Sequence, residues 1–465
     1  MRRLGILGLL LLGCSVGLEA SAIGDKGVLT PPTIDPIKPS PVGELFQYTF
    51  TSGSNVLPFS MMGKLALGGY VGSDVTADVE SRLKGNNRAG MYQQFSLVVY
   101  PLRSRFDGGA LQTSGAGQNT ANTKKVSLSS ISIRTVQSVG ATFSDDAYRL
   151  VFRGNGYYRG RNLEVGSNHF QLLGYNAVDF RFNAKSNFHV SILQATSFSR
   201  LQTGNMTLYT SASGDSVAFN GRFYSQTVSG ESWGQRGMGL AVGFDKMIKF
   251  RGLGGMKRSG RTHYLFLGVR DFGLIHLPRV AVQSRGYVWD ASMQGLSEAG
   301  ESPTKGVGLK QAVVNAKELQ LSNWFGNQRD SAVSRLQIQD QVRSGSVLAP
   351  FALYADLNNL QFGEQRFGLN ATYLHVPGYK LSTRIWWEKA ILPKGEQKWT
   401  SFSVSPYLAL GGFDTYDLGL ALNFQAPVKR MGSTFFRVDF RGLEAWAMPN
   451  KQHGAGVNAS VLFKL

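Results

Sequence analysis

The last fifty residues show the clearest alternation of apolar and polar side chains. Three segments there alternate with a period of two, at residues 416–424, 436–441 and 457–465. In the first of them, Leu418, Leu420 and Leu422 fall on one face, while Asp417 and Asn423 fall on the other. Successive side chains of a strand leave opposite faces, so this period predicts three consecutive β-strands.

The same alternation recurs along most of the chain. Further strands are predicted at residues 46–51, 65–71, 92–99, 126–136, 147–153, 176–183, 188–192, 206–210, 217–224, 238–245, 264–270, 351–356, 366–375, 381–388 and 401–410. In 126–136 the apolar phase shifts from Leu128 to Ile131, which predicts a β-bulge. Gly214-Asp215 is typical of a hairpin turn, whereas Asp145-Asp146 is expected at the entry to a strand.

One region breaks the strand pattern. Between residues 308 and 325 the apolar residues recur at helical spacing, as at Leu309, Val313 and Ala316. This predicts a helix of about four turns, with a second one near 330–342. If the surrounding strands form a barrel, such helices would either plug it or rest on its rim, and the sequence leaves both alternatives open.

The first 22 residues are typical of an export signal. A basic start, Arg2-Arg3, precedes an almost wholly apolar run, and Ala20-Ser21-Ala22 forms a small-x-small cleavage site. Leu11-Leu12-Gly13-Cys14 provides an alternative, because it matches the lipobox after which a lipid-modified Cys14 would begin the mature chain. Cys14 is the only cysteine, so the exported chain is expected to hold no disulfide.

Composition and charge narrow the class of protein. Residues 23–45 hold five prolines and predict an extended periplasmic lead-in, followed by one domain over 46–465. The formal net charge of +19 has two possible explanations. It would attract an anionic partner such as lipopolysaccharide, or it would keep polar loops soluble. Nucleic acid is not expected, since the signal directs export and basic–aromatic repeats are lacking. No later apolar run reaches eighteen residues, so helical membrane spans are not expected.

These observations together predict an all-β fold: a single antiparallel transmembrane β-barrel of about 14 strands, within a range of 12 to 16. The expected location is the outer membrane, with its lipid, its lipopolysaccharide and the barrel-assembly machinery as partners. The same alternation would also suit a secreted β-sandwich adhesin, which is the alternative from another class.

Several short motifs resemble a bacterial family when they are taken in order. They are Gly154-Asn155-Gly156-Tyr157-Tyr158-Arg159-Gly160 after a strand, Gly174-Tyr175-Asn176, Asp271-Phe272-Gly273-Leu274-Ile275, and Gly412-Phe413 before Leu418-Gly419-Leu420. This order resembles an uncharacterised family of outer-membrane β-barrels, near the fatty-acid-transporter-like barrels. The resemblance implies a barrel and an outer-membrane location, but no reaction and no functional residues. The chain departs from such barrels by ending on Leu465 instead of an aromatic residue.

The sequence contains one candidate for a catalytic pair of side chains. His189 and Ser191 share a strand face, as a nucleophilic serine and its base would in a lipid hydrolase. Any His-x-Ser in a strand does the same, so two polar lumen side chains are the preferred interpretation. The histidines lack metal-ligand spacing and Gly252-Leu253-Gly254-Gly255 lacks a phosphate-loop setting, so neither a metal, a cofactor nor an enzyme is predicted.

The predicted strands also yield a set of residues expected to face the lumen. They are Asp179, Arg181, Asp245, Asp417, Arg437, Asp439 and Arg441. Their mixed signs predict pairing across strands and not a single-sign selectivity ring. The expected role is to bind or pass a small hydrophobic or amphipathic solute. The alternative is a structural or secretion-partner scaffold that makes contacts through loops 103–124 and 443–453.

Overall fold

A computed structural model of the chain describes residues 44–66, 70–99, 127–183, 187–214, 216–228, 236–251, 262–292, 307–308, 337–362, 365–392, 401–428, 432–448 and 454–463. The strands are β1 Glu44–Ser54, β2 Tyr70–Val71, β3 Asn87–Val99, β4 Ser127–Phe143, β5 Asn162–Glu164, β6 His169–Asn183, β7 Asn187–Thr203, β8 Thr207–Thr210, β9 Ser216–Val228, β10 Met238–Arg251, β11 Thr262–Ser292, β12 Val307–Gly308, β13 Gln337–Leu348, β14 Ala352–Phe362, β15 Gln365–Leu374, β16 Lys380–Leu392, β17 Ser401–Gly412, β18 Tyr416–Val428, β19 Gly432–Arg441 and β20 Gly454–Phe463. The helices are α1 Phe59–Ala66, α2 Ser73–Ser81, α3 Asp145–Arg153 and α4 Leu443–Ala447, with a 3₁₀ turn at Asn155–Tyr158.

Fourteen of these strands close into an antiparallel barrel. Around the wall the order is β1, β3, β4, β6, β7, β10, β11, β14 and then β15 to β20. The ring closes because β20 pairs with β1, for example at Tyr48 opposite Ala459. The predicted barrel is therefore confirmed, and the β-sandwich alternative is wrong, because pairing of the first and last strands leaves one closed sheet.

One side of the wall continues beyond the ring. Strand β11 has 31 residues, about 100 Å when extended, whereas about ten residues suffice to cross a bilayer. Its first half pairs with β10 and β14, and its second half pairs with β9 and β13. Strands β5 and β8 extend this outer part through β9.

The bulge predicted in 126–136 is confirmed. The register between β4 and β6 shifts between Leu128 and Ser130. The alternation therefore changes there from even-numbered apolar positions, such as Leu128, to odd-numbered ones, Ile131 and Ile133. The hairpin predicted around Gly214 is also present, since β8 pairs with β9 and Gly214 has a positive φ of 81°.

Residues 147–153 form helix α3, and the prediction of a strand there was wrong. Ser144 caps the helix by accepting a hydrogen bond from the amide of Ala147, and Asp145 and Asp146 lie in its first turn. Carboxylates at this end offset the helix dipole, so the acidic pair belongs to a helix start and not to a strand entry. Gly154, with φ 75°, ends the helix. The Gly154–Gly160 motif therefore follows a helix and not a strand.

Helices α1, α2 and α3 pack together over one end of the barrel. Their contact cluster centres on Met61, Val79 and Tyr148, all buried. Of the strand predicted at 65–71, Tyr70 and Val71 are extended and pair with β12. The prediction was wrong for residues 65 and 66, which belong to α1, and residues 67–69 lie outside the described residues.

The second predicted helix, near 330–342, is also wrong where the structure describes it. Gln337–Leu348 forms β13, in which Ile338 and Val342 alternate with polar residues while pairing with β11. Residues 309–336, which hold nearly all of the first predicted helix, lie outside the described residues. The plug and rim alternatives are therefore still open.

Two turns at the same end of the barrel fold into the lumen. Phe413, between β17 and β18, is buried against Gly90 of β3, where a Cβ would lie 2.0 Å from its ring. In the turn between β15 and β16, Pro377 lies against Gly140 of β4 in the same manner. The two glycines therefore make room for side chains and backbone that close this end.

Replacement of Gly90 by alanine is expected to destabilise the barrel. The added methyl overlaps the Phe413 ring, and overpacking of this kind costs about 1–3 kcal/mol. The measurement is the temperature at which the folded band converts to the unfolded band in gel electrophoresis. Gly345→Ala is the matched control, because its nearest contact would be an ordinary 3.8 Å; equal midpoints for the two variants would contradict the packing described.

Candidate functional site

The barrel wall has an apolar outer face and a polar inner face. Along β18, Leu418 is 47% exposed while its neighbour Asp417 is 1% exposed. The same holds for β16, where Ile385 is exposed and Arg384 is buried. Polar side chains that are buried in this way must find their partners inside the lumen.

The seven side chains expected in the lumen lie on this inner side of the wall. Four of them are buried, namely Asp179, Asp417, Arg437 and Asp439. Three are partly buried, namely Arg181, Asp245 and Arg441. The structure distributes them between separate regions of the lumen and does not gather all seven into one ring.

Arg134 forms the centre of the first polar cluster. Its guanidinium donates to both oxygens of Asp179, at 2.5 and 2.6 Å, and to both oxygens of Asp271, at 2.8 and 2.6 Å. Ser132 and Ser191 donate their hydroxyls to Asp179, at 2.7 and 2.6 Å. These five residues and Tyr175, whose hydroxyl donates to Asp271 at 3.2 Å, form the Arg134 cluster.

Asp271 reaches this cluster because the backbone of β11 bulges. Asp271 has a positive φ of 56°, and the pairing of β10 with β11 shifts register between Val242 and Phe244. Two consecutive side chains, Arg270 and Asp271, are consequently both buried. Simple alternation would have sent one of them outward, so sequence reasoning missed Asp271.

The second polar cluster lies on the opposite wall. Arg384 pairs with Asp439 at 3.0 Å and stacks 3.6 Å from the centre of the Tyr407 ring. Tyr407 donates its hydroxyl to Asp439 at 2.7 Å, and Arg437 lies 3.8 Å from the same carboxylate. These four residues form the Asp439 cluster, in which one carboxylate lies within ion-pair distance of two guanidiniums.

Arg441 and Asp417 connect this cluster to the inward turn. Arg441 donates to Asp417 at 2.6 Å, and Asp414 lies in the turn beside them. Burial, followed by the nearby carboxylate of Asp417, raises the pKa of Asp414 well above its usual range. Asp414 accepts a hydrogen bond from the Ser54 amide at 2.7 Å, so the turn is fixed to the end of β1.

The Asp439 cluster borders a small cavity of about 40 Å³. Arg384, Asp439 and Arg441 line it, together with Asn370 and Asn458. A water molecule needs about 10–15 Å³ of such space, so the cavity holds only water-sized species. A solute of the size of a fatty acid does not fit there in this conformation.

A larger recess of about 790 Å³ lies on the outer face of the wall, where β10, β11 and β13 meet. Its lining is mainly apolar and exposed, and includes Ile192, Met238, Leu240, Phe272, Leu274 and Leu348. His276 and Ser346 supply polar groups at the same site. The recess therefore presents an open apolar surface with polar groups beside it, and no motif in the sequence indicated it.

His189 and Ser191 are both buried, but their contacts differ from those of a catalytic pair. Ser191 donates its hydroxyl to Asp179. The His189 ring packs on Gly243 of β10, where a Cβ would lie 2.1 Å from it. The serine therefore belongs to the Arg134 cluster and is not aimed at the imidazole.

The adjacent tryptophans of β16 lie on opposite faces of the wall, because successive side chains of a strand alternate. Trp387 is 37% exposed on the outer face and Trp386 is buried on the inner face beside Tyr407. Within the described ranges, no three histidine, cysteine or acidic side chains are grouped as a metal site would require. In the same part of the chain, no helix is long and apolar enough to cross a membrane.

Sequence reasoning missed Arg134, Arg384 and Tyr407, although a signal was present for the arginines. Arg134 alternates with Ile133 and Arg384 with Ile385, which places both arginines opposite an outward apolar residue. Cys14, the lipidation candidate, lies outside the described residues. Comparison of the chain with protein-family models and with curated proteins gives no match. The resemblance to an outer-membrane family therefore stays a prediction.

Replacement of Arg134 by methionine is expected to cost about 3–5 kcal/mol, because two buried carboxylates lose the cation that compensates them. Urea unfolding in lipid vesicles, followed by tryptophan fluorescence, measures the change. Arg82→Met is the matched control: Arg82 pairs with Asp78 on the surface of α2, where an ion pair contributes about 0–1 kcal/mol. Similar losses in the two variants would show that the Arg134 cluster does not stabilise the barrel.

Proposed function

We propose that this chain is a β-barrel of the bacterial outer membrane that binds or passes a small hydrophobic or amphipathic solute. The observation that carries the membrane location is the inverted distribution of side chains. Large apolar residues such as Leu240, Phe272 and Leu418 are exposed around the wall, while Arg134 and Asp439 are buried within it. Contiguous apolar surface of this extent is unfavourable in water and favourable in contact with lipid.

The export signal of residues 1–22 and the lead-in of 23–45 fit the same proposal. Lipid and lipopolysaccharide would contact the outer face, and the barrel-assembly machinery would insert it. A lipid on Cys14 would add an anchor but is not required, since the wall itself supplies the apolar surface.

The recess on the outer wall supports the solute proposal. Pockets of about 300–1,000 Å³ with apolar walls and a few polar groups are typical of small-molecule sites. The recess falls within that range at about 790 Å³ and opens on the outer face, which is the lipid side in this proposal. A solute that partitions into the bilayer would reach it without crossing water.

Groups that fold into the lumen would restrict how a solute passes. The inward turns at Phe413 and Pro377 and the ion pairs of both clusters occupy part of the lumen, and the cavity beside Arg384 measures about 40 Å³. A general porin holds a continuous aqueous channel. Passage beside Arg384 would therefore require the side chains or turns there to move.

The ion pairs inside the lumen favour a second candidate, a structural or secretion-partner scaffold. A barrel whose interior is occupied by ion pairs is rigid and needs no transported solute. In that case the partner would contact the loops, of which 103–124 lies outside the described residues and 443–453 begins with α4. We further propose that the chain is not an enzyme, because Ser191 is engaged by Asp179.

The test is purification in mild detergent, native mass spectrometry and planar-bilayer recording. A co-purifying lipid-like ligand with little conductance is expected. Leu240→Trp and Leu274→Trp fill the recess and should remove the ligand, whereas Leu369→Trp, an exposed residue elsewhere on the wall, should retain it. A steady current would indicate a porin instead, and a stoichiometric protein partner without ligand would favour the scaffold.

A further inference from the structure

The turn of residues 413–415, between β17 and β18, is held inside the lumen by polar contacts. Its Asp414 side chain is buried, and the Oδ1 atom accepts a hydrogen bond from the Ser54 amide at 2.7 Å. The Arg88 guanidinium donates to the backbone carbonyls of Phe413 and Asp414, at 3.0 and 2.7 Å. These contacts fix the turn, and one of them ends on a titratable group.

Asp414 and Asp417 bring two carboxyl groups into hydrogen-bonding contact. Oδ2 of Asp414 and Oδ1 of Asp417 are both buried, and within the described residues neither accepts a hydrogen bond from any other side chain or from the backbone. A Cβ added at Gly53 or Gly454 would overlap the Asp414 carboxyl, so β1 and β20 pack directly against it. Two ionised carboxylates in such a contact repel one another, whereas a proton between them makes a hydrogen bond.

The charged groups that face the pair from β3, β19 and α4 are bonded elsewhere. Arg441 donates to the far oxygen of Asp417, Oδ2, at 2.6 Å, and Arg88 donates to the carbonyls of the turn. Glu444 accepts from a backbone amide of β18. The remaining titratable groups near Arg441 are two tyrosines, Tyr379 and Tyr407. The hydrogen that the two facing oxygens need is therefore the proton of one of the carboxyls.

We propose that Asp414 and Asp417 share one proton and that this proton keeps the turn in the lumen, so that a rise in pH releases the turn. Gly411 and Gly412 end β17 with positive φ values of 95° and 78°, and glycine gives the backbone the freedom that a hinge needs. The turn side of the closed end is therefore held shut at acidic pH and loosens as the proton is lost. This role does not depend on whether the barrel passes a solute or serves as a scaffold.

The direction of the pH effect follows from proton linkage. With the turn inside, burial and the Asp417 carboxylate raise the pKa of Asp414 well above its usual range, whereas a carboxyl carried into water has an ordinary pKa of about 4. Outward movement therefore releases a proton between these two values, and each unit of pH favours the movement by up to about tenfold. Below about pH 4 the carboxyl is protonated in both positions, and the dependence ends.

The test places two spin labels on the full exported chain in lipid vesicles, in the Cys14→Ala background. Thr415→Cys labels the turn and Ala77→Cys labels α2, and both positions are exposed. Pulsed electron paramagnetic resonance should give one label-to-label distance at about pH 5 and a second population that grows towards about pH 9, above the ordinary range of a carboxyl. Infrared spectroscopy should show the band of a protonated carboxyl, and that band should fade over the same pH interval.

Asp414→Asn removes the titration but keeps the contacts. Its amide oxygen can accept from Ser54 while its NH₂ group donates to Asp417 at every pH, so the single distance should persist and the infrared band of the pair should be missing. The histidines are unchanged in this variant, so a transition that it removes does not come from them.

Glu444→Gln is the matched control. Glu444 is a half-buried carboxyl at the same end of the barrel, and burial raises its pKa as well, but this variant should keep both the transition and the band. A wild-type distance distribution that does not change with pH would overturn the proposal, as would a transition that survives in Asp414→Asn or disappears in Glu444→Gln. The wild-type measurement decides it even if Asp414→Asn does not fold.

Discussion

Closure of the sheet into a ring is the constraint on which the rest of the structure depends. Once β20 pairs with β1, the ring of fourteen strands has no open edge, and each strand of the ring has one face outside and one inside. The outer face is apolar, so the polar residues are forced into the lumen. Inside, a buried polar side chain needs partners within the lumen, and the two clusters follow from that requirement.

The Arg134 cluster shows how the requirement is met. Asp179 arrives by simple alternation on β6, whereas Asp271 needs a bulge with a positive φ to turn inward. A single guanidinium then serves two carboxylates in a fork geometry that lysine could not reproduce. Just beyond the bulge, β11 changes partner on one side from β14 to β13, whereas on the other side it stays paired with β10 as far as His276.

Small residues set how much of the lumen is filled. Gly90 and Gly140 accept Phe413 and Pro377, and Gly419 accepts the Tyr407 ring. The turns could not fold inward over larger side chains. The closed end of the barrel and the small polar cavity are therefore consequences of where glycine occurs in the wall.

The fold class was predictable because period-two alternation survives in nearly every wall strand. Leu418 and Asp417 alone predicted which face of β18 is outside. The alternation predicts the wall strands, but the strand predicted at 147–153 is wrong, because Ser144 and the two acidic residues after it begin a helix. Asp271 was missed because a bulge reverses the phase, and the outer recess because its residues come from β7, β10, β11 and β13 and meet only in three dimensions.

The central claim is that the apolar face of the wall contacts lipid while the polar face is enclosed. Cys14→Ala gives a background without cysteine, into which Leu418→Cys and Asn423→Cys can each be introduced on β18 and spin-labelled in lipid vesicles. The account predicts that the label at 418 is relaxed by oxygen, which dissolves in lipid, and is protected from a water-soluble nickel chelate, with no such preference at 423. Strong relaxation of the label at 418 by the nickel chelate would contradict it.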